Sequence, residues 1–352
     1  MPDWREGNPY EGALGAAVEA RGHPVRYAHF PRGWLPLLQT VLRHSPAALH
    51  LHWVAPLLAP HLAARPGFRR FVRRALAVLD LRLCRLLGIP VYWTIHNLVS
   101  HESADPAWER VLRRQLLRHV TACFVHSASA RSLIEQEFDI GLDGRCAVVP
   151  HAAYTDEYPA PDTARVAALR AELGLDGGEF VYLFFGAIRP YKGVENLVDA
   201  FTTLADTDAR LVVAGRVRDA ELGAALAARC AGDARIRWRE GFLVDDDLAA
   251  LLALADVVVL PYVQTLTSGS VLLAMTRGKP LILPERGRVF DVPGECGALY
   301  FESGHLGDAL AAIRERDVIA MGRFNQASTA TLTWAHMAAL ITARYERDAT
   351  AR

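Results

Sequence analysis

Residues 180–196, FVYLFFGAIRPYKGVEN, constrain the fold more than any other stretch of this chain. Phe180 to Phe185 is an unbroken apolar and aromatic run, the pattern of a strand covered on both faces. Gly186 lets the backbone turn, and Val194, Leu197, Val198 and Phe201 then recur at helical spacing. Strand, short loop and helix together offer free backbone N–H groups and the positive end of a helix dipole to an anion. Arg189 and Lys192 flank Pro190 and Tyr191 in that loop, and two cations suit a diphosphate better than a carboxylate. An ordinary βα connection with a solvated Arg and Lys is the competing reading. The chain carries its basic charge almost wholly as Arg, and Lys192 and Lys279 are its only lysines. A lysine kept in this loop points to a need for a compact, flexible ammonium.

The same alternation runs the length of the chain. At 352 residues it exceeds one ordinary core, so two domains are expected, over 1–155 and 165–330. A final helix over 331–352 is expected to follow, with packing back on the first domain as one option. Strands are expected in the first half at 24–30, 48–54, 90–95, 121–126 and 147–150. In the second half they fall at 180–185, 210–214, 236–239, 256–260, 280–283 and 298–301. Strands alternating with helices give an α/β fold of two doubly wound, Rossmann-like domains that face each other across a cleft. YTDEYPAPDTA, at 154–164, reads as the linker. The start is anomalous: a helix from 9 to 21 lacks the strand that should precede it in a doubly wound domain. Either the start is truncated or the sheet is built without that strand.

Net charge zero gives no reason to expect a nucleic-acid partner. Five scattered cysteines with no CxxC pair read as reduced thiols of a cytoplasmic protein, not as a disulfide framework or a zinc site. No signal peptide and no apolar run of about 18 residues is seen. The charge is nevertheless uneven, with 18 Arg against 12 Asp plus Glu in residues 1–155. A basic half suggests an anionic surface or substrate. Residues 68–87 concentrate it. Phe68, Phe71, Val72, Ala75, Leu76, Leu79, Leu83 and Leu86 make an apolar stripe beside Arg69, Arg70, Arg73 and Arg74. A core-facing helix with a solvated basic face is the plainer reading; a helix resting on anionic lipid at the inner face of the plasma membrane is the sharper one.

Ligands of parallel sheets bind at the carboxyl ends of the strands. In the second half those ends carry Gly186 to Lys192, Gly215 and Arg216, Gly241 and Phe242, Pro261 and Tyr262, and TSGS from Thr267 to Ser270. Ser268, Gly269 and Ser270 open a helix, again an anion-accepting terminus. No dinucleotide fingerprint or Walker loop is present. In the first half the strand at 90–95 runs into His96, Asn97, Leu98, Val99, Ser100, His101 and Glu102. His96 and Glu102 are candidate acid/base groups, with a loop histidine and a solvated carboxylate as the alternative. Asn8 and Tyr10 fall in the opening loop of the same half. His50 and His52 share a strand face, where a packed pair is expected ahead of a metal site.

FFGAIRPYKGVENL, LHLHWV, HNLVSHE and VVLPYVQTLTSGSVLLAM together resemble the GT-B glycosyltransferases, most closely the xanthan-type β-1,4-mannosyltransferases that act on polyprenyl-diphosphate saccharides. The resemblance runs from Asn8 to the end. It implies a nucleotide-sugar donor on the C-terminal half, with Arg189 and Lys192 on the diphosphate and Ser268, Gly269 and Ser270 donating near the diphosphate or sugar. Phe242 and Leu243 are implied near the base, alongside Gly186, Gly215, Arg216 and Tyr262. Acceptor recognition falls to the N-terminal half, where Asn8, Tyr10 and His101 are candidates. Transfer is expected without cofactor or metal, with mannose the favoured sugar. Broad retaining relatives carry two glutamates where this chain has Thr265 and Leu273, which argues for inversion and leaves ribose recognition unexplained. The alternatives are a UDP-sugar enzyme with a soluble natural-product acceptor, and a non-catalytic nucleotide-sugar-binding subunit.

Overall fold

The computed structural model describes residues 1–352 apart from 4–8, 32, 63–66, 101–102, 264–265, 291, 293, 295 and 351–352, and apart from the side chains of 60–62 and 287–289. The chain divides into two compact units. One comprises Met1–His151 with Thr333–Arg352, the other Ala152–Leu332. The division falls at His151 rather than near 155. Ala152, Ala153 and Tyr154 are buried, and the Ala153 N–H donates to the Leu332 carbonyl at 2.7 Å. Arg277 donates to the Tyr158 and Pro159 carbonyls at 2.6 and 2.8 Å. The stretch at 154–164 is therefore not a free linker but part of the second unit, fastened by the Arg277 guanidinium.

The first unit contains α1 (Pro9–Glu19), α2 (Pro36–His44), β1 (Leu49–Leu51), α3 (Ala55–Leu62) and α4 (Phe68–Leu86). It continues with β2 (Val91–Thr94), α5 (Pro106–His119), β3 (Ala122–Val125), α6 (Ala128–Phe138) and β4 (Cys146–Val148). A C-terminal helix, Trp334–Thr350, completes it. The sheet is wholly parallel, in the order β1-β2-β3-β4, so its strands step in one direction. Every residue of β2 and β3 is buried, as continuous apolar strands require. The strand expected at 24–30 does not form. Only Ala28 pairs, through a parallel bridge to Pro2, because no described strand lies between this segment and β1. The C-terminal helix buries Met337, Ala338, Ile341 and Thr342, and Tyr345 hydrogen-bonds through its hydroxyl to His50 Nδ1 at 2.5 Å.

In α4 the expected core-facing stripe is only partly covered, with Val72, Leu76 and Leu83 half-buried. The buried residues are Asp80, Leu81 and Cys84, whereas Phe68 and Phe71 are 79% and 59% exposed. Asp80 sets this orientation. Its carboxylate accepts from the Leu37 and Leu38 N–H groups at 2.9 and 2.8 Å, satisfying the first turn of α2, which has no cap of its own.

The second unit contains α7 (Thr163–Glu172), β5 (Phe180–Phe185), α8 (Val194–Thr202), β6 (Ala209–Gly215), α9 (Ala220–Ala231), β7 (Ile236–Glu240) and α10 (Asp245–Leu254). Then come β8 (Val257–Val259), α11 (Gly269–Thr276), β9 (Leu281–Pro284), β10 (Ala298–Phe301), α12 (Leu306–Ala312) and α13 (Val318–Thr329). Its six parallel strands lie in the order β10-β9-β8-β5-β6-β7. The chain steps outward from β5 to β6 and β7, then returns to build β8, β9 and β10 on the other side. The order thus reverses between β5 and β8, and a crevice forms outside the strand ends at such a switch point.

Candidate functional site

The loops after β5 and β8 meet at that switch point. Gly193, in the left-handed region at φ 68°, caps α8, and a Cβ there would stand 2.4 Å from the Pro261 carbonyl oxygen. Only glycine permits the approach. The Val263 N–H donates to the Tyr191 carbonyl at 2.9 Å, so the two loops share main-chain hydrogen bonding. On this frame the Lys192 ammonium sits 3.8 Å from the ring centroid of Tyr262, a cation–π contact. The Tyr262 hydroxyl lies 3.4 Å from Ser268 Oγ, and Ser268 Oγ accepts from the Val271 N–H at 3.3 Å, capping α11. Ser270 is close as well, since a Cβ on Gly186 would lie 3.4 Å from its Oγ. Ammonium, buried ring, hydroxyl and helix N-terminus therefore form one connected group. Among these, Arg189 and Lys192 remain half-exposed. The other lysine is structural: Lys279 Nζ donates to the Ala255 carbonyl at 2.8 Å, and burial lowers its pKa.

The remaining strand ends line up beside this group. A Cβ on Gly215 would stand 1.8 Å from the Gly186 carbonyl oxygen, so glycine lets the ends of β5 and β6 close together. The Ile188 N–H donates to the Arg216 carbonyl at 2.9 Å, and the Gly241 N–H to that of Gly215 at 3.0 Å. Arg216 is exposed, Leu243 half-buried, and Phe242 is 70% exposed. Such a ledge presents backbone donors, two cations and an uncovered aromatic ring. It is suited chemically to an anion attached to a flat ring. Leu273, one of the two positions where glutamate is missing, is buried within α11; Thr265 lies outside the described residues.

In the first unit each successive strand delivers a histidine at or beyond its carboxyl end. His50 and His52 come from β1, His96 follows β2, His126 follows β3 and His151 follows β4. Tyr10, entering from α1, lies among them with ring centroids 5.4 Å from His52, 4.9 Å from His96, 6.1 Å from His126 and 4.9 Å from His151. Trp53 stacks on His96 at 4.5 Å, and His52 Nδ1 lies 3.2 Å from His96 Nε2. The His50–His52 pair is stacked at 4.4 Å. Burial pushes His50 down to about 3 and His126 to about 4. Burial, then the neighbouring imidazoles, hold His52 and His96 well below the ordinary value. These rings are neutral at pH 7. They form a wall of polar edges and aromatic faces, and no group of three His, Cys, Asp or Glu among the described residues could hold a metal ion.

The segment after β2 is clamped from behind. Arg113 on α5 donates to the Asn97 carbonyl and Oδ1 at 2.9 and 3.2 Å, and pairs with Glu109 at 2.7 Å. Glu109 also accepts from the Ser100 N–H and hydroxyl at 2.9 and 2.7 Å. Burial would raise the Glu109 carboxyl, but the guanidinium and the serine donors outweigh it and hold it low.

Of the residues singled out in the sequence, the second unit brings Gly186, Arg189, Lys192, Gly215, Tyr262, Ser268 and Ser270 to one ledge. Gly269 opens α11 facing Tyr154. The first unit brings Tyr10 and His96 together. Asn8, His101 and Glu102 lie outside the described residues. His126, His151 and Trp53 were missed, although a histidine at the end of every strand from β1 to β4 was a signal available in the sequence.

Comparison with known proteins follows these two units. A family model described as glycosyl transferases group 1 matches residues 179–339. GDP-mannose:glycolipid 4-beta-D-mannosyltransferase of Xanthomonas campestris pv. campestris is 30% identical over 237 residues, covering 67% of this chain and 60% of that protein. The chain thus spans about 60% of the length of this relative. 2-Deoxystreptamine glucosyltransferase of Streptomyces kanamyceticus is 27% identical over 230 residues, covering 60% of this chain and 57% of that protein. Among solved structures, sucrose-phosphate synthase from Thermosynechococcus elongatus superposes with a TM-score of 0.74 at 18% identity, covering 97% of this chain and 93% of its own. HepE of Anabaena, in complex with UDP-glucose, gives a TM-score of 0.69 at 16% identity, covering 94% and 88%.

Proposed function

The second unit carries a glycosyl transferases group 1 domain in a GT-B fold, and on that premise we propose that the chain is a hexosyltransferase acting on a nucleotide-diphosphate sugar. The observation that carries this reading is the connected group of Lys192, Tyr262, Ser268 and the α11 N-terminus at the switch point of the second sheet. A departing nucleotide diphosphate gains negative charge at the transition state. Fixed cations and N–H donors stabilise that charge without reorganising. Arg189 and Lys192 take the diphosphate, Ser268, Gly269 and Ser270 donate to it or to the sugar, and Phe242 and Leu243 meet the base. Mannose is the favoured sugar, in line with the relative's printed name.

The acceptor binds at the first unit, on the wall formed by Tyr10 and the strand-end histidines, with Asn8 and His101 as further contacts. Inversion needs one base for the acceptor hydroxyl. His96 is neutral but weakly basic, since burial lowers its pKa; Glu102 is the preferred base, and the Arg113–Glu109 clamp steadies the segment leading to it. A lipid-linked saccharide is favoured over a soluble acceptor because α4 turns Phe68, Phe71, Leu79 and Leu86 to solvent. Beside them stand Arg69 and Arg74, both exposed. The enzyme then works at the cytoplasmic face of a membrane, docked reversibly through α4; no described helix is long and apolar enough to cross one. A UDP-sugar with a soluble acceptor, as for the deoxystreptamine relative, is the reading to test against it.

The deciding experiment is a thermal-shift panel of GDP, UDP, ADP and their sugars, followed by transfer assays with the stabilising donor. A ligand at about 100 times its Kd adds roughly 2.7 kcal/mol. GDP and GDP-mannose are expected to stabilise, and transfer is expected to persist in EDTA. Stabilisation by UDP-sugars alone would redirect the donor assignment. Binding without transfer to any lipid-linked or soluble saccharide would leave a non-catalytic subunit.

A further inference from the structure

β3 and β4 set two of the five cysteines side by side. Cys123 is the register partner of Cys146 across this parallel pair, and register partners on a pleated sheet project to the same face. The Cys123 N–H donates to the Arg145 carbonyl at 2.8 Å and the Val149 N–H to the Val125 carbonyl at 2.7 Å. Ladder bonds on both sides of the pair therefore hold that register. Both thiols are free, and Cys123 donates a hydrogen bond to the Cys146 sulfur.

The two are unequal. Cys123 is buried, whereas Cys146 is half-buried on β4, beyond which no further strand lies among the described residues. The bond from Cys123 lowers the Cys146 pKa, and Arg131 of α6 and Arg344 of the C-terminal helix lower it further, against burial and Glu135. The same bond and burial raise Cys123. A partly exposed thiol held toward thiolate by neighbouring cations is the setting of a reactive cysteine. Cys84 and Cys230 make the contrast: both are buried, and burial pushes them up to about 12 and about 11. The spacing also suits a bond. Adjacent strands stand about 4.8 Å apart, inside the range of about 4.4–6.8 Å for the Cα atoms of a disulfide, and the Cβ atoms need to close by about 1 Å. An edge strand of three residues has no outer neighbour to resist that shift. A bridge closed in this way keeps some strain, and strained disulfides are the readily reduced ones.

We propose that Cys123 and Cys146 are a reversible dithiol site for hydrogen peroxide, and that closing it moves the histidines at the ends of β3 and β4. The Cys146 thiolate attacks one peroxide oxygen, the O–O bond breaks, and the departing hydroxide takes a proton from solvent to leave as water. Cys146 is then a sulfenic acid. The Cys123 sulfur gives up its proton and attacks Cys146, the S–O bond breaks, and the hydroxide leaves with that proton as a second water. Two thiols lose two electrons and one peroxide becomes two waters. The mechanical link is short. His126 lies three residues beyond Cys123, and its Nδ1 stands 2.9 Å from the Val149 carbonyl of the chain leaving β4. Drawing β4 toward β3 acts on that contact and on His151, two residues further. That these histidines take an acceptor rests on the reading above; the dithiol site does not.

The test treats the full chain with hydrogen peroxide, alkylates it under denaturing conditions and maps the peptides by mass spectrometry. The expected product joins the Cys123 and Cys146 peptides and is separated by dithiothreitol. Cys84 and Cys230 should oxidise at least about tenfold more slowly. Cys123→Ser should stop at a sulfenic acid on Cys146 that dimedone traps, and Cys146→Ser should leave Cys123 open to alkylation. Oxidation of Cys146 in the wild type that leaves Cys123 a thiol overturns the site, as does bridging through the exposed Cys296. Imidazole NMR reads the second half: the His126 and His151 signals should move on oxidation and return on reduction, while His305 in the second unit stays. A bridge that leaves both signals in place overturns the link to the histidines. No transfer assay enters either arm, so a failed acceptor assignment and a failed dithiol site are separate results.

Discussion

Lys192 shows how much one side chain owes to residues distant in sequence. Its loop follows from a strand, a glycine and a helix that are contiguous in the chain, so its place at a strand end was legible there. Its support was not. Tyr262 reaches it only because β8 packs beside β5, and no local pattern encodes that neighbour. The two kinds of residue should respond differently to mutation. Arg189→Ala and Lys192→Ala are each expected to lower kcat about 10²- to 10³-fold, the loss typical of removing one transition-state donor. Both are half-exposed, so the melting temperature should barely move. Tyr262→Phe keeps the ring under the ammonium and should cost little, whereas Tyr262→Ala should approach the Lys192→Ala loss. Steady-state kinetics with melting curves decide it. Near-normal rates in both cation variants would remove the diphosphate assignment.

At the scale of elements, periodicity located most strands and helices but not which face is covered. In α4 the stripe over 68–86 was legible, but only part of it is covered: Val72, Leu76 and Leu83 are half-buried, whereas Phe68, Phe71, Leu79 and Leu86 face solvent. The helix is turned by a buried carboxylate: Asp80 serves the N-terminus of α2, and polar obligations of that kind do not appear in an apolar pattern. The segment at 24–30 had strand composition and failed for want of a partner. With Phe68, Phe71, Leu79 and Leu86 outward, α4 should bind anionic vesicles at low salt. Each Arg near such a surface contributes about 1 kcal/mol within a Debye length. Co-sedimentation of wild type against a chain with Arg69, Arg70, Arg73 and Arg74 changed to Glu checks this; indifference of the wild type sinks the docking. The clamp on α5 makes a separate prediction. Glu109 and Arg113 are 0% and 1% exposed at their side chains, so Glu109→Ala leaves a buried guanidinium unpaired, at a cost of about 3–5 kcal/mol. Chemical denaturation measures it, and a loss under about 1 kcal/mol would show that water replaces the carboxylate.

For the molecule as a whole, the two units divide the titrating groups unequally, and acid should separate them. Twelve of the thirteen histidines belong to the first unit; only His305 belongs to the second. The buried imidazoles have folded pKa values below the ordinary histidine value, about 3 for His50 and about 4 for His126. The unfolded chain therefore binds more protons below about pH 6.5, and stability falls as pH falls from there toward the folded values. At pH 5 each such ring costs about 2 kcal/mol. His52 and His96 are shifted the same way and add to this loss, against the roughly 5–15 kcal/mol that holds a typical domain. In the second unit the shifted carboxyls are lowered as well, but from a lower ordinary value, so they act in a more acidic range. Hydrogen bonds hold Glu179 at about 2, and arginine partners hold Asp233 and Asp247 low. Stability from those groups persists until the pH falls below the ordinary carboxyl range. The first unit should thus unfold between about pH 6 and 4 while the second stays folded. Tryptophan fluorescence is a ready probe, since six of the seven tryptophans lie in the first unit and only Trp238 in the second. In an acid titration the fluorescence change should precede the loss of far-ultraviolet circular dichroism from the second unit by at least about one pH unit. Coincident transitions would mean that the units unfold together, or that the histidine wall takes up protons without opening.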